Sequence, residues 1–129
     1  MRTRMLMSVS AALFAALGAC LTFLPDDILA MVKRAPDDGA VLSLKMLGAL
    51  YLGFAILDWS ARGNLLGGIY SRPVVLGNFM YFTVATLTMT RALSIGSVVA
   101  VALAIHAVLL VWFSLVLFSG GPPRPPDQR

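Results

Sequence analysis

Charge is scarce in this chain. Charged residues make up 12% of its 129 positions, while apolar residues make up 59%. Soluble domains carry about 25% charged residues, and a soluble domain this small could not hide so much apolar surface. Lipid is the simpler solvent. A single cysteine, Cys20, excludes an internal disulfide and any multi-cysteine metal or iron–sulfur site. A single histidine, His106, means that a metal site there would need a symmetric partner chain or ligands of other types. The net charge of +4 comes from basic residues scattered singly between apolar runs. They form neither the patch nor the stripe that a phosphate backbone requires, so no nucleic-acid partner is read. No nucleophile–base motif is present, and Gly67-Gly68 lacks the strand–glycine–helix setting of a nucleotide loop. The chain shows no catalytic, cofactor-binding or metal site and reads as a non-enzyme.

What the chain does contain is four apolar segments of membrane-spanning length. The first, residues 5–24, holds no charge over 20 residues and follows Arg2 and Arg4. Ala11, Ala15 and Ala19 repeat every four residues, as do Ala12, Ala16 and Cys20, giving two adjoining small-residue faces for close helix packing. Leu17-Gly18-Ala19-Cys20 resembles a lipobox, but the apolar run continues through Leu24 and three more spans follow, which suits a retained helix.

Pro-Asp-Asp occurs at 25–27 and again at 36–38. Aspartates after a proline read as helix starts, so a short interfacial helix is expected over about 27–34, and a second span from about 40 to 61. Four aspartates could instead hold a divalent cation, but no third ligand type or EF-hand spacing accompanies them. In the second span Leu44, Tyr51, Ala55, Asp58 and Arg62 share one face, with Ala49, Gly53 and Ser60 opposite. Lys45 can snorkel outward, and Trp59 suits an interfacial anchor. A glycine-rich turn follows, kept at the membrane surface by Leu65, Leu66, Ile69 and Tyr70. The third span covers about 73–91, and Gly77, Asn78, Tyr81, Ala85 and Thr88 cluster on one of its faces. Its other threonines can bond the carbonyl four residues back. The fourth span covers about 93–118, with Gly96, Ala100, Ala104 and Ala107 on one stripe and His106 near its midpoint. Residues 120–129 form a proline-rich tail, read as disordered and cytoplasmic.

Two readings of function-bearing residues follow. Asp58 is the only acid inside an apolar run. An acid there normally has a partner, and Arg62 stands four residues on in the favourable order. A polar cluster is therefore expected of Asp58, Arg62 or Arg72, and Asn78, with Tyr51 deeper: either a structural pin or a proton- or substrate-handling site. His106 is read as a core histidine bonded to Tyr51 or a threonine, with titration, metal ligation or haem as the other option.

The block LGALYLGFAILDWSAR followed by GGIYSRP and LGNF, within residues 47–79, resembles the central block of small bacterial four-helix inner-membrane proteins of a domain-of-unknown-function family. The layout of most of the chain is more loosely similar to DoxX-like families. The resemblance implies a bacterial inner-membrane location and an all-α four-helix transmembrane bundle, and it brings no catalytic motif. It also implies asparagine where this chain has Asp58, so that amide-like hydrogen bonding matters more than a carboxylate. Six Lys or Arg on one side of the membrane against four on the other favour both termini in the cytoplasm. The expected role is helix–helix association, with a second copy or another membrane protein. A small-solute transporter or channel built as an oligomer is the alternative, and a subunit of a membrane oxidoreductase is a third option, resting on the DoxX-like layout.

Overall fold

A computed structural model of the protein describes residues 2–63 and 71–119. Of the expected surface turn over 63–73, residues 64–70 lie outside the described residues, as does the tail over 120–129, and residues 71–73 already belong to a helix. Within the described residues there are five α-helices: α1 (Arg2–Phe23), α2 (Pro25–Met31), α3 (Asp38–Ala61), α4 (Ser71–Arg91) and α5 (Ser97–Ser119). Four of them, all but α2, are long and apolar enough to cross a membrane. At about 1.5 Å per residue, twenty residues cover the roughly 30 Å of a hydrocarbon core. The architecture is an all-α four-helix bundle, as its four apolar runs dictate.

Local chemistry sets where these helices begin and end. The interfacial helix starts at Pro25, two residues earlier than expected, because proline is pre-organised for the first helical position. Asp26 and Asp27 then lie in its first turn, where the dipole favours negative charge. It ends at Met31, short of the expected 34, and Lys33 takes a positive φ of 57° as the chain turns back. Asp37 caps α3 by accepting a hydrogen bond from the Ala40 N–H at 2.9 Å. The fourth span begins at Ser97, not Leu93. Residues Leu93–Ile95 instead form a 3-10 turn, and Gly96 adopts φ 149°, a conformation that side-chain-bearing residues rarely take.

Water does not drive helices together inside lipid, so packing and hydrogen bonds must hold the bundle. The closest pair is α1 with α3, followed by α4 with α5; α1–α5 and α3–α4 touch far less. Gly18 and Gly48 allow the first pairing. A Cβ on Gly18 would come 2.9 Å from the Gly48 carbonyl oxygen, and one on Gly48 would come 2.9 Å from that of Gly18. The backbones therefore meet at van der Waals distance. At the centre, Phe14, Phe82 and Phe113 are fully buried and stack from α1 through α4 to α5, with ring centroids 5.5 Å apart at each step. The outer faces keep their large apolar side chains exposed, among them Leu50, Ile56, Leu87, Val101 and Leu115. That is the surface a protein solvated by acyl chains presents.

Candidate functional site: two polar clusters inside the bundle

Buried polar side chains gather at two levels of α3. Near its end, Asp58 is fully buried, as are Asn78 on α4 and Ser10 on α1. The helical phase of α3 sets this arrangement: Tyr51, Ala55 and Asp58 fall on the inward face together, while Ala49, Gly53 and Ser60 face outward. One Asn78 amide N–H donates to Asp58 Oδ1, and the same nitrogen donates to the Val74 carbonyl at 3.0 Å. The Ser10 hydroxyl donates to Asn78 Oδ1 over a long 3.4 Å. Three helices are thereby tied at one point. The second carboxylate oxygen, Asp58 Oδ2, is buried without a hydrogen-bond partner among the described residues.

The expected arginine partner is not there. The Arg62 guanidinium lies over the Trp59 ring, 3.2 Å from its centroid, and Arg72 is exposed at the start of α4. Among the described residues the one ion pair is the exposed Arg34–Asp37 contact at 3.8 Å. The physical reason is directional. A guanidinium is always charged, and its long stem lets it reach the membrane surface. There it finds the face of an exposed tryptophan, a contact that requires no desolvation of the charge. Asp58, on a short side chain, points the other way.

The second cluster lies about two helical turns away along α3, at Tyr51. The Tyr81 hydroxyl on α4 sits 2.6 Å from the Tyr51 hydroxyl and 3.1 Å from His106 Nε2 on α5. His106 Nδ1 lies 2.7 Å from the Ala102 carbonyl oxygen, which only an N–H can satisfy. A neutral His106 therefore carries its proton on Nδ1 and offers Nε2 as an acceptor. Tyr81 donates to it, which leaves the Tyr81 oxygen to accept from Tyr51. Phe14 and Phe82 close around these rings, with Phe14 5.0 Å from Tyr81 and Phe82 5.6 Å from His106 between centroids. A shallow cleft of about 540 Å³ opens between α3 and α4, with Tyr51, Phe54, Gly77, Met80 and Tyr81 among its walls.

The expected single cluster thus divides. Asp58 and Asn78 do meet, joined by Ser10, while Tyr51 belongs with Tyr81 and His106. Arg62 and Arg72 join neither. His106 reaches Tyr51 only through Tyr81. Ser10 and Tyr81 are the two members that sequence reasoning does not single out as site residues. Tyr81 shares a face with Asn78 at a spacing of three, a signal that could mark it; Ser10 sits among alanines and gives no such signal. Of the α4 threonines, Thr83 and Thr88 bond the carbonyls four residues back and Thr90 the one three back, whereas Thr86 Oγ1 is buried without a partner among the described residues. Cys20 is exposed on the outer face of α1. No group of three or more metal-ligating side chains occurs among the described residues. No protein-family model matches the chain, and neither do curated proteins or solved structures. Its four apolar helices make it a multi-pass membrane protein by length and composition.

Proposed function

We propose that the protein works by helix–helix association in the membrane, through the outward small-residue face of α1. The observation that carries this is how the glycines and alanines are divided. Gly18 and Gly48 are consumed in the internal crossing of α1 with α3. Ala12, Ala15, Ala16 and Cys20 remain exposed on the other side of the same helix. Beside them lies an apolar groove of about 530 Å³, floored by Ala11, Ala12, Ala15 and Ala55 and walled by Leu52, Ile56 and Trp59. Small residues let a second helix backbone come close, which is where packing energy arises in lipid. Gly53, with open space where its side chain would be, adds a further low point on α3.

Cys20 provides the test without any mutation, because it is the only thiol in the chain. Mild oxidation of native membranes is expected to give a disulfide-linked dimer, since thiols at a close helix crossing fall within bonding reach. Replacing Ala12 and Ala16 together by leucine should suppress that dimer several-fold. A band that stays monomeric under oxidation, together with a monomeric mass in mild detergent, removes homotypic association. An adduct of another size identifies a different membrane partner.

A second reading, an oligomeric small-solute transporter, is favoured by one specific observation: Asp58, Asn78 and His106 are buried in the bundle interior. Polar side chains at membrane depth carry a free-energy cost and commonly mark a pathway.

A further inference from the structure

The Asp58 cluster has more acceptors than donors. Asn78 spends both amide hydrogens, one on Asp58 Oδ1 and one on the Val74 carbonyl. Ser10 spends its only hydrogen on Asn78 Oδ1. Nothing among the described residues is left to donate to Asp58 Oδ2, which is out of contact with solvent. An ionised carboxylate in that position would face no cation among the described residues, and a buried, unpaired charge carries a penalty of several kcal/mol even after relaxation. The deficit is one positive equivalent.

We propose that Asp58 is a proton-binding site: the side chain is a neutral carboxylic acid in the closed bundle, and its proton is the removable element of the contact between α3 and α4. In this form Oδ2 carries the hydrogen and becomes the missing donor. The Ser10 hydroxyl oxygen, in the same cluster through Asn78, retains lone pairs. A proton fits this site better than a metal ion. Hard metal cations take about six or more oxygens, whereas the side-chain oxygens here come from Asp58, Asn78 and Ser10, and those of Asn78 and Ser10 are already engaged. Loss of the proton to water leaves a carboxylate with a single amide donor, so alkaline conditions should loosen α3 from α4 at this end.

Among the described residues, the groups that could compensate the charge are placed elsewhere. On α3 itself, Arg62 is stacked on Trp59, and Tyr51 is about 10 Å away along the helix axis, bonded to Tyr81. From α1 the uncharged Ser10 joins the cluster through Asn78, and Arg4 is exposed. From α4 comes Asn78, with Arg72 exposed and Tyr81 turned to Tyr51 and His106. On α5, His106 is held by Tyr81 and the Ala102 carbonyl.

Infrared spectroscopy of the full chain in lipid vesicles tests this directly. The chain contains no glutamate, and its other aspartates are Asp26, Asp27, Asp37 and Asp38, all exposed, and Asp127 in the tail. The expected result is a protonated-carboxyl C=O band at neutral pH that shifts when aspartate is labelled with carbon-13. It should vanish completely in Asp58→Asn and disappear in the wild type as pH is raised. The isotope shift needs no variant, so a misfolded Asp58→Asn protein would not blunt the test. Absence of an aspartate-derived band in the neutral wild-type protein overturns the proposal. So does a band that appears only when sodium is replaced by choline, since that would make a metal ion the occupant.

Discussion

The two sides of α3 are built on different principles. Toward α1 the helix presents Gly48, and the backbones touch, with the Thr22 hydroxyl packed against Gly48. Toward α4 the helices stand apart, and what joins them is a pair of side-chain hydrogen bonds, Asp58 to Asn78 and Tyr51 to Tyr81. The first seam gains from dispersion over many atoms and depends on the absence of side chains. The second depends on a few polar groups whose alternative, in lipid, is no partner at all. A seam of the first kind should fail from any added volume, and a seam of the second kind from the loss of one atom.

The largest effect should come from filling the close seam. In Gly48→Val the new Cβ would collide with Thr22 Oγ1 and stand 2.9 Å from the Gly18 carbonyl oxygen. Backbone cannot move aside as a side-chain tip can. Overpacking costs about 1–3 kcal/mol and occasionally more, and this variant is expected at or above the top of that range. Unfolding by denaturing detergent, followed through Trp59 and Trp112 fluorescence, would measure it. Little or no loss would mean that α1 and α3 cross elsewhere.

Tyr81→Phe attacks the other seam by removing one oxygen. Tyr51 and His106 Nε2 then both lose a partner, at an expected cost of about 1 kcal/mol, since transmembrane hydrogen bonds average somewhat less than soluble ones. The same unfolding assay ranks the two variants. If Tyr81→Phe proved the more damaging, the polar side would be the principal support of the bundle and the comparison would reverse.

Arg62→Ala should do least, about 0.5 kcal/mol for an exposed cation–π contact. Its value lies in discrimination. Were Arg62 the counter-ion of Asp58, its removal would strand a buried charge and destabilise by about 3–5 kcal/mol. A near-neutral result separates the stacked arrangement from a salt-bridged one.

How much of this is legible in the sequence follows from what each feature depends on. The four spans come from apolar run length alone, and the inward face of α3 comes from its 100° phase, so residue spacing by itself groups Tyr51, Ala55 and Asp58. That Asn78 meets Asp58 follows from two helices joined at the same membrane side. Ser10 is out of reach of such reasoning because its place is set by how closely α1 approaches α3, and that depends on Gly18 and Gly48 together. Sequence spacing also misdirects Arg62: an i, i+4 acid–base pair reads as a bridge, yet the choice between acid and tryptophan is made by depth, which spacing does not encode. The start of α5 is hidden because Leu93–Ile95 is as apolar as the span that follows. Only the φ of Gly96 separates them.

The division of contacts has a consequence for how the chain is made. The two close pairings, α1 with α3 and α4 with α5, each join transmembrane segments that are neighbours in sequence. Translation therefore delivers one finished helical hairpin and then another. The first can close on its glycines as soon as it is inserted, but Asp58 and Tyr51 still lack the partners that only α4 supplies. Until the second hairpin docks, the first carries a carboxyl and a phenol turned toward lipid. The polar pairs thus make the early half of the protein dependent on the late half, and an interrupted chain would keep an unmet acid in the membrane as the sign that it is incomplete.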